Sequence, residues 1–102
     1  MSRIRKVAVL GSGVMGSGIA AHVAGAGVPV LMLDIVPGDL KPEERTSRAA
    51  RDRLAAAGKE RALSSKPPAF FTPRDAPLLE VGNLDDDLPR LAECDWIVEV
   101  VT

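Results

Sequence analysis

An α/β fold organised on a parallel sheet is what the sequence predicts, and three observations predict it. Residues 6–10, KVAVL, form a short β-branched apolar run with no polar alternation, as a strand buried on both faces of a parallel sheet does. Directly behind it comes GSGVMGSGIA, residues 11–20, with four glycines and no charge. A helical pattern then leads into a second apolar run, PVLML at 29–33, closed by Asp34.

The helix is expected over residues 14–26, because Gly16, Ala20 and Ala24 fall on one face at i, i+4 and i+8, with Met15, Ile19 and Val23 forming a bulkier stripe beside them. Gly25 and Gly27 offer its stop. Strand, glycine turn, helix and strand make a βαβ unit with a right-handed crossover. Pro37-Gly38 reads as a turn, and Pro42-Glu43-Glu44 as the start of a helix running to Gly58, its arginines a solvated face. A short second helix is expected in KERAL, residues 59–63. Residues 64–77 hold four prolines and read as a loop or extended excursion, with Phe70 and Phe71 seeking a surface to pack on. LLEVGN, residues 78–83, reads as a strand, DDDLPRLAEC as a connection with little regular structure, and DWIVEVV, residues 95–101, as a further strand.

Composition narrows the function classes. A chain of 102 residues suits one small unit or a piece of one, and a net charge of −1 with interspersed signs gives no footprint for nucleic acid or a membrane surface. The single cysteine, Cys94, has no disulfide partner and fits a reducing, cytoplasmic setting. From Val7 to Leu33 only His22 can carry charge, and the basic residues Arg3, Arg5 and Lys6 precede this run, an arrangement that imitates a signal peptide or a membrane span. Repeated glycines and Pro29 interrupt it, so neither reading holds.

Gly11-Ser12-Gly13-Val14-Met15-Gly16 is a G-x-G-x-x-G pattern. Gly11 permits the tight turn, Gly13 clears space for a pyrophosphate, and Gly16 lets helix and strand pack closely. Backbone N–H groups at the new helix's start then face the anion. The motif alone is weak, but here it follows a strand, opens a helix and precedes an acid at the end of the next strand. A Rossmann-type doubly wound sheet binding NAD follows. Asp34 would accept from the adenosine ribose and repel a 2′-phosphate, by about 4 kcal/mol per charge pair at 4 Å and an effective dielectric of 20, so NAD is favoured over NADP. Glu99, an acid among valines near a strand's carboxyl end, either faces the nicotinamide half or reaches solvent at the sheet's rim. His22 lies six residues past Gly16, about 9 Å along the helix from the phosphate end, and is structural. No zinc-ligand spacing surrounds Cys94.

VAVLGSGVMGSGIAAHVAGAGVPVLMLDI resembles the start of the 3-hydroxyacyl-CoA dehydrogenase NAD-binding domain, through Met15, Gly18-Ile19-Ala20, Ala26-Gly27 and Asp34. CDWIVEVV is similar to that family's acid-bearing strand, and KPPAFFTP and GNLDDDLPRLAECDW are more like its long bacterial β-oxidation forms. The resemblance implies that Gly11, Gly13, Val14, Met15 and Gly16 lie against NAD, that Asp34 with Ile35 holds the ribose, and that Glu99, Val100 and Val101 line the nicotinamide side. It also implies a 3-hydroxyacyl-CoA substrate, a homodimeric enzyme of fatty-acid β-oxidation, and a CoA-facing role for Arg51, Arg53, Lys59 or Arg61, none of which matches a family position. The family's catalytic histidine and glutamate have no counterpart here, so residues 1–102 are expected to be the N-terminal portion of the NAD-binding domain, inactive by themselves. Dehydrogenases of the 6-phosphogluconate or 3-hydroxyisobutyrate type and a non-catalytic NAD sensor remain the alternatives.

Overall fold

A computed structural model describes residues 4–64 and 74–100. Strands β1 (Val7–Leu10), β2 (Val30–Asp34), β3 (Leu79–Asn83) and β4 (Trp96–Glu99) form one sheet in the order β3-β2-β1-β4, every pairing parallel. Helix α1 (Val14–Gly25) links β1 to β2. In register, Val7 lies beside Val30 and Trp96, and Val30 beside Leu79. Side chains alternate across a strand, so Val7, Val9, Val30, Met32 and Leu79 share one face, where they join Ala20, Ala21 and Ala24 of α1 in the core. Ala8, Leu31 and Leu33 on the other face are also fully buried, which explains why β1 and β2 lack polar alternation. β4 sits at the sheet edge with Trp96 and Ile97 exposed, and it ends at Glu99, earlier than the expected strand. The expected excursion around Phe70 and Phe71 and the end of that strand at Val101 lie outside the described residues.

The predicted small-residue face of α1 is buried as expected at Gly16, Ala20 and Ala24, and it widens to include Ser17 and Ala21. Such a surface lets a second helix come close. The expected helix from Pro42 to Gly58 is instead divided. Pro42–Glu44 is a single 3-10 turn, Ser47 then caps α2 (Arg48–Arg51) by accepting from the Ala50 N–H at 3.3 Å, and α3 (Arg53–Ser64) follows after a turn at Asp52. A serine that satisfies a first-turn donor starts a helix rather than continuing one. Gly58 does not end α3, which runs on through KERAL. A Cβ at Gly58 would lie 2.7 Å from the Ser12 carbonyl oxygen, so the glycine is the point where α3 touches the glycine loop.

The 84–94 stretch is also more regular than the sequence suggested. The Asn83 side chain accepts from the Asp86 N–H at 2.7 Å and caps α4 (Leu84–Asp87), and a 3-10 segment, Leu88–Glu93, completes the connection. The arginines of α2 are not a plain solvated face either. Arg51 grips Asp86 through two bonds of 2.8 and 2.9 Å, and Arg48 holds both Asp52 and Asp87. Asn83, fully buried, donates to Asp52 at 2.7 Å and to Asp86 at 2.9 Å, so one cluster ties α2 to the end of β3. Its planar guanidinium forks suit carboxylates in two-point contact. Arg51, then Asn83, pull the Asp86 carboxyl down to about 2.

Two outcomes test this packing. In an ordinary helix interior Gly→Ala gains about 1 kcal/mol. At Gly58 the collision with backbone reverses the sign, and Gly58→Ala should destabilise by about 1–2 kcal/mol in denaturant unfolding. Since the folded carboxyl of Asp86 titrates below the usual unfolded value of about 3.9, its contribution is complete above roughly pH 4 and is lost as pH falls toward 2. Thermal midpoints should therefore fall more steeply over that window in the native protein than in Asp86→Asn.

Candidate functional site

The site grows from the carboxyl ends of β1 and β2. The Gly11 N–H donates to the Leu33 carbonyl at 2.8 Å, extending the strand pairing by one step before the chain turns. The turn uses a φ of +110° at Gly11, a region that L side chains rarely adopt. Gly16 then sits against it. A Cβ at Gly16 would overlap the Gly11 carbonyl and press on Val100, so α1 can start there only without a side chain. Gly13, by contrast, has ordinary extended geometry with nothing within 4 Å of a would-be Cβ. Of the three motif glycines, two are fixed by the fold and one opens onto free space.

That space is a groove of about 410 Å³, within the usual range for small-molecule sites. Residues 11–16 form its floor, Asp34 and Ile35 close one side, and Val100 reaches in from beyond β4. No side chain caps the start of α1, which leaves the first-turn N–H groups to an anion. Val14, Met15 and Ile35 stand on the rim, 85%, 70% and 56% exposed, an apolar surface that a flat ring could cover. The donors, the open glycine and the acid together fit a dinucleotide's phosphates and ribose.

Eight of the residues singled out in the sequence therefore meet here. Glu99 does not line the groove: it ends β4 opposite Leu10, exposed, on the sheet face away from the α1 core. Val101 lies outside the described residues. His22 is in the last turn of α1, at the far end from the groove. Burial raises the Cys94 thiol above its ordinary range, and among the described residues no group of His, Cys, Asp and Glu could hold a metal. The four basic residues set aside as CoA contacts have internal partners, Arg51 on Asp86, Arg53 on Asp39, Lys59 on the Leu79 carbonyl and Arg61 on the Ser12 carbonyl.

Ser12, a variable position of the glycine pattern, also lines the groove. It is 3% exposed, and both its N–H, at 2.8 Å, and its hydroxyl donate to Asp34 Oδ2. The other carboxylate oxygen, Oδ1, accepts from the Ile35 N–H at 2.7 Å. Nothing in the motif pattern marks this position, because the contact joins residues that are distant in sequence.

A parallel α/β sheet whose first strand turns through glycine into a closely packed helix, with an acid at the end of the next strand, defines a dinucleotide-binding domain. The profile of the family described as 3-hydroxyacyl-CoA dehydrogenase, NAD binding domain, matches residues 6–102. The chain belongs to that family, and NAD is its cofactor. A probable 3-hydroxyacyl-CoA dehydrogenase of Bacillus subtilis is 50% identical over 104 residues, covering 96% of this chain and 13% of that protein. Another, from Deinococcus radiodurans, is 52% identical over 99 residues, covering 97% and 26% respectively. The chain thus spans about a quarter or less of these relatives. The crystal structure of M. tuberculosis FadB2 superposes with a TM-score of 0.59 and 30% identity, over 99% of this chain and 32% of that one. No described helix is long and apolar enough to cross a membrane.

The glycine geometry gives a sharp contrast. Gly16→Ala should lower stability by about 2 kcal/mol or more, because helix and strand must separate, whereas Gly13→Ala should change it by a few tenths at most. Denaturant unfolding of the two variants checks this; equal losses would contradict it.

Proposed function

We infer that this chain binds NAD through the backbone of residues 11–16, with Val14 and Met15 against the dinucleotide and Asp34 and Ile35 at the adenosine ribose. By the family resemblance Val100, which lines the groove, is given to the nicotinamide side together with Val101 and Glu99, the latter beyond the groove itself. The enzyme it serves oxidises (S)-3-hydroxyacyl-CoA to 3-oxoacyl-CoA in fatty-acid β-oxidation, as a cytoplasmic homodimer. When bound, NAD supplies the hydride acceptor. This chain's residues bind and orient it: the α1 N–H groups hold the phosphates and the Asp34 carboxylate accepts from a ribose hydroxyl. No residue of 1–102 is assigned a catalytic role.

One observation carries this reading. Gly13 is open where Gly11 and Gly16 are filled, and that opening faces the same groove as Asp34. Close packing accounts for Gly11 and Gly16, whereas Gly13, the N-cap of α1, leaves the groove floor bare beside the uncapped first-turn amides. Asp34 also sets the choice between cofactors, since a 2′-phosphate would meet its charge. Asp34→Ala should weaken NAD binding about tenfold, the effect of losing a hydrogen bond to a charged group, and narrow the preference over NADP. Titration of each cofactor, followed by intrinsic fluorescence or calorimetry, reads both; curves unchanged for both cofactors would remove Asp34 from the site.

A further inference from the structure

Asp34 is not free to use its whole carboxylate. An ionised carboxylate offers about four acceptor positions, two on each oxygen. Ser12 fills both positions on Oδ2, one with its N–H and one with its hydroxyl. The hydroxyl also lies 3.0 Å from the Leu54 carbonyl, but its single proton goes to the charged acceptor, which makes the stronger bond. The Ile35 N–H takes one position on Oδ1. One position remains. Ser12 itself is buried and held from behind, its carbonyl accepting from Arg61 at 2.6 Å and lying where Gly58 of α3 leaves no room for a side chain, so it cannot easily turn away.

We propose that Ser12 is a positioning residue for cofactor recognition: by occupying Oδ2 it turns Oδ1 toward the groove as a single acceptor, so that Asp34 recognises one of the two adenosine ribose hydroxyls rather than both. This rests on the placement of NAD in the groove described above. The test compares binding of NAD with its 2′-deoxyadenosine and 3′-deoxyadenosine analogues. In the native protein one analogue should bind about tenfold or more weaker than NAD and the other within about twofold. In Ser12→Ala, which keeps the N–H bond but frees one acceptor position on Oδ2, the two losses should come within about threefold of each other. A residue that merely supported the loop would weaken all three ligands alike and leave the pattern intact. Equal losses for the two analogues in the native protein overturn the proposal, and that comparison stands even if Ser12→Ala fails to fold. An unchanged pattern in a folded Ser12→Ala overturns it too. Asp34→Ala separates the two levels: it should abolish hydroxyl discrimination, and if discrimination persists there, the placement of the ribose at Asp34 falls and this proposal with it.

Discussion

The start of α1 rests directly on the carbonyl of Gly11, and most of the structure follows from that contact. It fixes where β1 must stop, because the chain has to turn at once through a left-handed residue. It sets how near the helix lies to the sheet, and so the need for alanine and glycine along the inner face of α1. It also aims the helix's amides past the strand ends, where the groove opens. Packing and anion binding here are two results of one constraint. A larger residue at Gly16 would push the helix outward and move every donor with it.

A second layer holds that geometry in place from behind. α3 approaches the loop at Gly58, and Arg61 binds the Ser12 carbonyl. The cluster of Arg48, Arg51, Asp52, Asn83, Asp86 and Asp87 then fastens the α2 end of this helical segment to β3 and α4. These pairs are partly exposed, so each alone contributes little, but together they set position as a network. The buried members are all hydrogen-bonded, and among the described residues no buried side-chain polar atom lacks a partner.

How much of this was legible in the sequence follows from the range of the interactions involved. The βαβ unit was readable because its signals are local: apolar runs, three glycines at fixed offsets and an acid at a strand end. β1, α1 and β2 fell within a residue of their expected places. The middle of the chain was less readable because nonlocal contacts decide it. A glycine normally suggests that a helix stops, and only the approach of Ser12 explains why α3 passes through Gly58. Ser47 and Asn83 did carry signals, being capping residues before short helices, although the proline and acid runs beside them suggested a longer helix in one case and a turn in the other. Ser12 gave none, since its two bonds to Asp34 exist only once the strands are side by side.

The meeting of α3 with the loop also bears on how variation in this protein would be interpreted. Gly58 lines no part of the groove, yet it packs closely on the carbonyl of Ser12, the residue whose N–H and hydroxyl bind Asp34. In a survey that scored substitutions by ligand affinity, it would group with the contact residues, and a map of hits would draw the recognition surface into a helix that reaches the groove through Ser12. For this chain, the boundary between scaffold and site runs through a single serine rather than around the pocket.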